Sequence, residues 1–185
     1  MQILIIIAVI VLAVILLGIY FLLRTGRSLR RAASQLDKDW SDIEVFMKQR
    51  NDDLPRLLQT CRSYMPADHP ALKGVSGARS AYQKTSSIAE KSEANGKIVG
   101  ALQVLFSAAG KSEGLKSNST YLQLHSRLVE LQEKIDGRCD LYNDDAARLN
   151  ARLARFPGSL FTGKGALRPR PAASLSQAAV DVERG

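Results

Sequence analysis

The chain has 185 residues, 45% of them hydrophobic and 6% aromatic, and a formal net charge of +8; that is enough for one domain with appendages. Half of the charge excess sits in one short stretch, Arg24, Arg27, Arg30 and Arg31, so the basic balance calls for no nucleic-acid partner. The two cysteines, Cys61 and Cys139, stand far apart and form no Cys-x-x-Cys pair, which suits a reducing compartment.

From Ile3 to Leu23 there is no charge, and only Gly18 and Tyr20 interrupt the apolar run. At about 1.5 Å per residue a helix of that length reaches roughly 31 Å, close to the hydrocarbon core of a bilayer. A cleaved signal peptide would carry a basic start, a shorter apolar stretch and a small-x-small site. Met1-Gln2 has no basic side chain, and Tyr20-Phe21-Leu22-Leu23-Arg24 offers no such site. Residues 1–23 are therefore expected to stay as a transmembrane anchor in contact with membrane lipid. Arg24, Arg27, Arg30 and Arg31 flank it on one side only, and such residues are held on the cytoplasmic side. The expectation is a single-pass protein of the inner (cytoplasmic) membrane, N-terminus out, with the domain in the cytoplasm.

Leu29, Ala33, Leu36, Trp40, Ile43, Met47, Leu54, Leu57, Cys61 and Tyr64 alternate in steps of three and four. That heptad seam predicts a long helix from Leu29 to Tyr64, packed on a neighbour through a narrow stripe. Pro55 lies inside it and should remove one backbone hydrogen bond and kink the helix, which continues as a single element because the apolar phase runs on through Leu57 and Cys61. Arg50 falls where the seam demands an apolar residue; its charge must find a partner, unless its stem packs while its head reaches water. Pro66 and Asp68-His69-Pro70 should end this helix and start a second, with Asp68 as N-cap. The second helix carries Leu72, Val75, Tyr82, Ile88, Ile98, Leu102 and Leu105, with a break expected in the polar run Lys91 to Lys97, near Asn95.

Gly110 to Asn118 reads as a loop. A third helix is predicted from Ser119 to Phe156, ended by Pro157-Gly158. Within it Tyr142-Asn143, Leu149-Asn150 and Phe156-Pro157 repeat every seven residues. Seven residues turn a helix by about 700°, so Asn143 and Asn150 stack on one side, drifting by ~20°. Asparagine is a mediocre helix former, so the pair reads as a hydrogen-bond ladder for a partner, the alternative being two exposed asparagines placed by chance. From Gly163 onward the chain is poor in large apolar residues and contains Arg168-Pro169-Arg170-Pro171, which predicts a disordered tail with local extended character. The fold class is all-α: an N-terminal transmembrane helix followed by an antiparallel bundle of three to four long helices. The boundaries are residues 1–23 for the anchor, 24–160 for the bundle and 161–185 for the tail.

Chemical motifs are scarce. Leu105-Phe106-Ser107-Ala108-Ala109-Gly110-Lys111-Ser112 imitates a phosphate loop but lacks the first glycine and a preceding strand; it reads as a helix end. His69 and His125 have no ligand at metal-binding spacing. Arg148, Arg152 and Arg155 alternate with Asp144 and Asp145, as on a solvated face. No cofactor, no metal, no catalytic residue and no enzymatic activity are expected.

An apolar N-terminal run, then Arg50-Asn51-Asp52-Asp53-Leu54-Pro55-Arg56-Leu57-Leu58, Ala78-Arg79, Tyr121-Leu122-Gln123-Leu124, and Tyr142-Asn143…Leu149-Asn150…Phe156-Pro157 together resemble the LemA family over roughly residues 1 to 160. Leu149 stands where the family's pattern has a second tyrosine, and Gln132 and Cys139 stand where it leads one to expect Glu and Arg. The resemblance implies a bacterial membrane-anchored bundle without an established catalytic activity, and marks Arg50, Leu54, Pro55, Tyr142, Asn143, Asn150, Phe156 and Pro157 as structural or partner-facing.

The function expected is that of a non-enzymatic interaction or scaffold protein with protein partners of unknown identity, a homo-oligomer being open. The alternatives are an accessory subunit of a membrane-associated enzyme such as a protease, and, with less support, a hydrolase. For Arg50 the expected partners are Glu133 or Asp136 on the third helix, with Glu130 and Asp140 nearby and Asn143 as a neutral substitute. The orientation is checked by fusing to Gly185 a reporter active only outside the cytoplasm. No signal is expected; neutralising Arg24, Arg27, Arg30 and Arg31 should weaken the preference, and a strong signal from the unaltered chain overturns it.

Overall fold

The computed structural model describes residues 1–156, 159 and 170–173 (for Leu4 and Ala8, the backbone alone). Pro157 and Gly158, and the tail expectation for residues 161–169 and 174–185, lie outside the described residues; the third predicted helix ends at Ala154, two residues short of Phe156. Every regular element among them is a helix: α1 Gln2–Arg62, α2 Pro70–Tyr82, α3 Ile88–Ala109, α4 Glu113–Lys116 and α5 Ser119–Ala154.

The apolar run and the seam, read from the sequence as separate helices, form one helix of 61 residues. Arg24-Thr25-Gly26-Arg27-Ser28 between them holds no proline, and a lone glycine costs only about 1 kcal/mol of helix propensity. The seam residues from Leu29 to Cys61 are buried as expected, but Tyr64 lies past the helix end at 45% exposure. There its hydroxyl accepts from Asn118 Nδ2 at 3.1 Å. Its ring lies so close to Gly114 that an added Cβ would come within 2.7 Å, so a side chain there would have to displace the ring.

Pro55 does not interrupt α1. Its missing N–H leaves the Asn51 carbonyl without its usual donor, and Arg79 Nε supplies one at 3.3 Å. Leu54 beside it is fully buried.

The second predicted helix does break, but at Gln83–Ser87 and not at Asn95. Lys91 to Lys97 is helical. A capping box sets the start of α3: Ser87 Oγ accepts from Glu90 N at 3.2 Å, and Glu90 Oε2 accepts from Ser87 N at 3.1 Å. Of the charges that suggested a break, Glu93 and Lys97 are exposed and Lys91 is half-buried against Glu44, while Ser92, Ala94 and Asn95 are buried. At the start of α2 the cap is His69, not Asp68; its Nδ1 accepts from Ala71 N at 3.2 Å. The predicted loop at 110–118 holds the short α4.

The chain divides into two compact units, residues 1–38 with 145–170 and residues 39–144 with 171–185. In the larger unit α1 and α5 run antiparallel: Asp53 pairs with Arg127 at 2.7 Å, Asp42 with Arg138 at 3.6 Å, and the Trp40 and Tyr142 rings lie 5.6 Å apart. Its core joins Leu54, Leu57 and Cys61 to Leu72 and Val75 of α2, Ile98, Leu102 and Leu105 of α3, and Leu124 and Leu128 of α5. In the smaller unit Leu29, Ala33 and Leu36 are buried, as are Ala146, Leu149 and Leu153. There Arg152 donates to Ser28 Oγ at 2.9 Å.

The Pro55–Arg79 pairing is checked by a double-mutant cycle. Arg79→Ala is expected to cost about 1 kcal/mol with Pro55 in place and measurably less after Pro55→Ala, which restores the backbone donor. Equal losses in both backgrounds would show that Arg79 does not serve the Asn51 carbonyl.

Candidate functional site

Arg50, the charge that interrupts the α1 seam, is 0% exposed, which removes the reading in which its head reaches water. Its direct partners are neither of the acids expected. One terminal nitrogen donates to Gln132 Oε1 at 2.5 Å and the other to Asn95 Oδ1. Asp136 enters one step further out, accepting from Gln132 Nε2 at 2.8 Å. Glu133 is exposed on the other side of its turn. The guanidinium is thus held by two neutral amide oxygens, with a carboxylate behind one of them.

Burial draws Arg50 down to about 10, opposed in part by Tyr82 and Asp136, so it remains charged at neutral pH. Burial raises the Asp136 carboxyl, with the Gln132 bond and Arg50 working against it. Burial also raises the Cys61 and Cys139 thiols, to about 11 and about 12; both are free and buried, and neither has the character of a nucleophile. Arg50 Nε, Asn95 Nδ2 and Ser92 Oγ are buried without a hydrogen-bond partner among the described residues. Glu44 closes the neighbouring level of the same unit, accepting from Trp40 Nε1 and from Lys91 Nζ, each at 2.6 Å.

Asn95, the residue of this cluster that the sequence reading placed in a break, had a usable signal. It is in phase with Ile98, Leu102 and Leu105 on α3, so an uninterrupted helix carries its amide into the core. Gln132 was noticed only as a departure from the family pattern, and Arg79 only as part of that pattern.

The asparagines of α5 are each half-buried and occupied. In the larger unit Asn143 Nδ2 donates to Ala173 O at 2.9 Å, and Asn143 Oδ1 accepts from Ala173 N at 2.7 Å. In the smaller unit Asn150 does the same with Arg170, both distances 2.9 Å. Asn143 therefore does not serve Arg50, and part of the segment expected to be disordered is bound. Tyr142 is 1% exposed against Trp40. Phe156 is 80% exposed, and Pro157 lies outside the described residues.

The remaining candidates come to less. Leu105 and Ala109 of the phosphate-loop imitation are fully buried in the end of α3. His125 packs edge-on against Phe106 at 4.3 Å between ring centroids, and Arg148, Arg152 and Arg155 are exposed. Arg24, Arg27, Arg30 and Arg31 are exposed as well. Just before them the large apolar side chains of α1 face outward, Ile3 at 74% and Phe21 at 58% exposure, on a helix long and apolar enough to cross a membrane.

Among the described residues the helices pack together as a bundle, preceded by one candidate membrane helix: this is an all-helical bundle protein. The chain belongs to the LemA family, whose family model matches residues 39–183. No characterised protein matches it.

Arg50→Ala is expected to lower unfolding stability by about 3 kcal/mol, because it opens a cavity and leaves the Asn95 and Gln132 oxygens without their donor. Arg50→Leu fills the space but strands the same oxygens, so it too should destabilise. A thermal midpoint within about one degree of the unaltered protein for both would show that the arginine carries no such load.

Proposed function

We propose that this LemA-family chain is a non-enzymatic interaction protein, a helical scaffold held at the cytoplasmic membrane by the apolar start of α1. In this reading the helical domain lies on the cytoplasmic side. What supports it most is how the polar groups of the domain are spent. The terminal nitrogens of the buried arginine are taken up by neighbouring side chains (Gln132 and Asn95), and the α5 amides bind backbone. Such groups fix helix register and hold polypeptide, as an assembly platform must. The outward-facing apolar stretch of α1 is an exposed patch of the kind that marks contact with lipid or another apolar partner. The four arginines that follow suit the anionic cytoplasmic leaflet.

Cross-linking in intact membranes, followed by identification of what is captured, tests this reading. Several unrelated membrane proteins at substoichiometric levels are expected. A single enzyme recovered in fixed stoichiometry would replace the scaffold with the accessory subunit of a membrane-associated enzyme, such as a protease.

A further inference from the structure

The positive charge of the chain is collected in the smaller unit. Residues 1–38 and 145–170 hold eleven Lys and Arg against two acids, Asp37 and Asp145, whereas the rest of the chain holds fifteen against sixteen. Both aspartates already have a guanidinium partner, Arg170 at 2.8 Å for Asp37 and Arg148 at 3.5 Å for Asp145. The arginines that follow the apolar run are arranged differently. Tyr20, Arg24, Arg27 and Arg31 recur on one face of α1 in steps of four, three and four. With Leu23 and Ser28 they line, among the described residues, a hollow of about 530 Å³ in which neither aspartate takes part. Arg24 donates to the Tyr20 hydroxyl at 3.3 Å. Arg152 of α5 stands at the edge, donating to Ser28 Oγ at 2.9 Å. Four guanidinium groups around one hollow repel one another, and an anion among them relieves that repulsion.

The hollow begins where the apolar run stops. Leu16, Ile19 and Leu23 in the preceding turns face outward, a surface that an acyl chain would cover. Arg27 lies four residues past Leu23, about 6 Å along the axis, and the headgroup layer outside the hydrocarbon is roughly 5–7 Å deep on each side. Arg24 and Arg27 are thus at the level of lipid phosphate, with Tyr20 at the boundary where tyrosine is enriched. Arg31 lies further out, about 12 Å past Leu23. A zwitterionic phospholipid carries its ammonium group outside its phosphate, where it would meet Arg31 and Arg152, like charge against like charge. We infer that Tyr20, Arg24, Arg27, Arg31 and Arg152 form a headgroup site for one anionic phospholipid. Arg24 and Arg27 take its phosphate, and Arg31 and Arg152 turn away headgroups that bear a cation. The site selects a class of lipid, which a diffuse basic surface does not. The inference rests on the reading of α1 as a membrane helix, but anchoring and lipid choice are measured separately.

The test uses the full chain in neutral detergent micelles, equilibrated with equal amounts of dioleoylphosphatidylglycerol and dioleoylphosphatidylcholine. Native mass spectrometry then counts the lipids that stay bound. One phosphatidylglycerol per chain is expected, retained at least about tenfold over phosphatidylcholine, since each arginine near the lipid surface contributes about 1 kcal/mol. Arg24→Gln with Arg27→Gln should lower that retention at least about tenfold. Lys38→Gln with Arg148→Gln removes the same charge from exposed positions of the same unit outside the hollow, and should leave retention unchanged. Excess inorganic phosphate should not displace the lipid, because it has no acyl chain to lie on α1. If the Arg24 and Arg27 replacements lower helical content, the choice between the two lipids by the unaltered chain decides alone. Carbonate extraction of membranes reports the anchor by itself. A chain that stays in the pellet yet holds both lipids equally, loses lipid to phosphate, or responds alike to the two folded glutamine pairs overturns this inference and leaves the anchor standing. A chain released by carbonate overturns both.

Discussion

A guanidinium carried into the core of a helical bundle sets the conditions for everything packed around it. Removing Arg50 from water costs several kcal/mol that Coulomb attraction recovers only with good geometry. The bundle meets that cost with directed amide oxygens, Asn95 from α3 and Gln132 from α5, and sets the Asp136 carboxylate behind Gln132. Because hydrogen bonds fail within a few tenths of an ångström and apolar contact does not, this one side chain selects the rotation and register at which three helices meet. The leucines above and below supply most of the stabilisation but discriminate poorly among registers.

Five residues along α1 from that charge, Pro55 creates the opposite problem, an acceptor without a donor. Arg79 of α2 answers it at the Asn51 carbonyl, so the fourth long helical segment of the larger unit is also fixed by a polar contact. Arg50-Asn51 and Leu54-Pro55 thus work as one device. The arginine orders α3 and α5, the proline calls in α2, and Leu54 between them is fully buried.

On α5 the same amide chemistry faces outward. Asparagine in mid-helix costs a few tenths of a kcal/mol relative to better helix formers, and here each one pairs with a non-helical backbone residue as a strand would. A bundle whose buried arginine is held by two amide oxygens and whose half-buried asparagines bind backbone of the same chain suits the proposed role in assembly, and the exposed apolar start of α1 supplies a means of localisation.

Features written in local periodicity were legible without coordinates. The apolar run, the seam from Leu29 to Cys61, the donor lost at Pro55 and the stacking of Asn143 on Asn150 follow from 1.5 Å and 100° per residue and from the covalent structure of proline. The capping box Ser87-x-x-Glu90 was equally local and outweighed the polar run that suggested a later break. What the sequence could not decide was which groups meet. Glu133 and Asp136 were the natural choices for Arg50 by charge, yet a turn of helix separates an acid that faces the arginine from one that faces water. Whether Asn95 reaches the core depended on α3 being unbroken. The two asparagines announced a ladder, but its rungs end on Arg170 and Ala173, some twenty and thirty residues further along. Chain spacing governs what one helix presents; the rotation of each helix against its neighbours, a tertiary quantity, governs what that face touches.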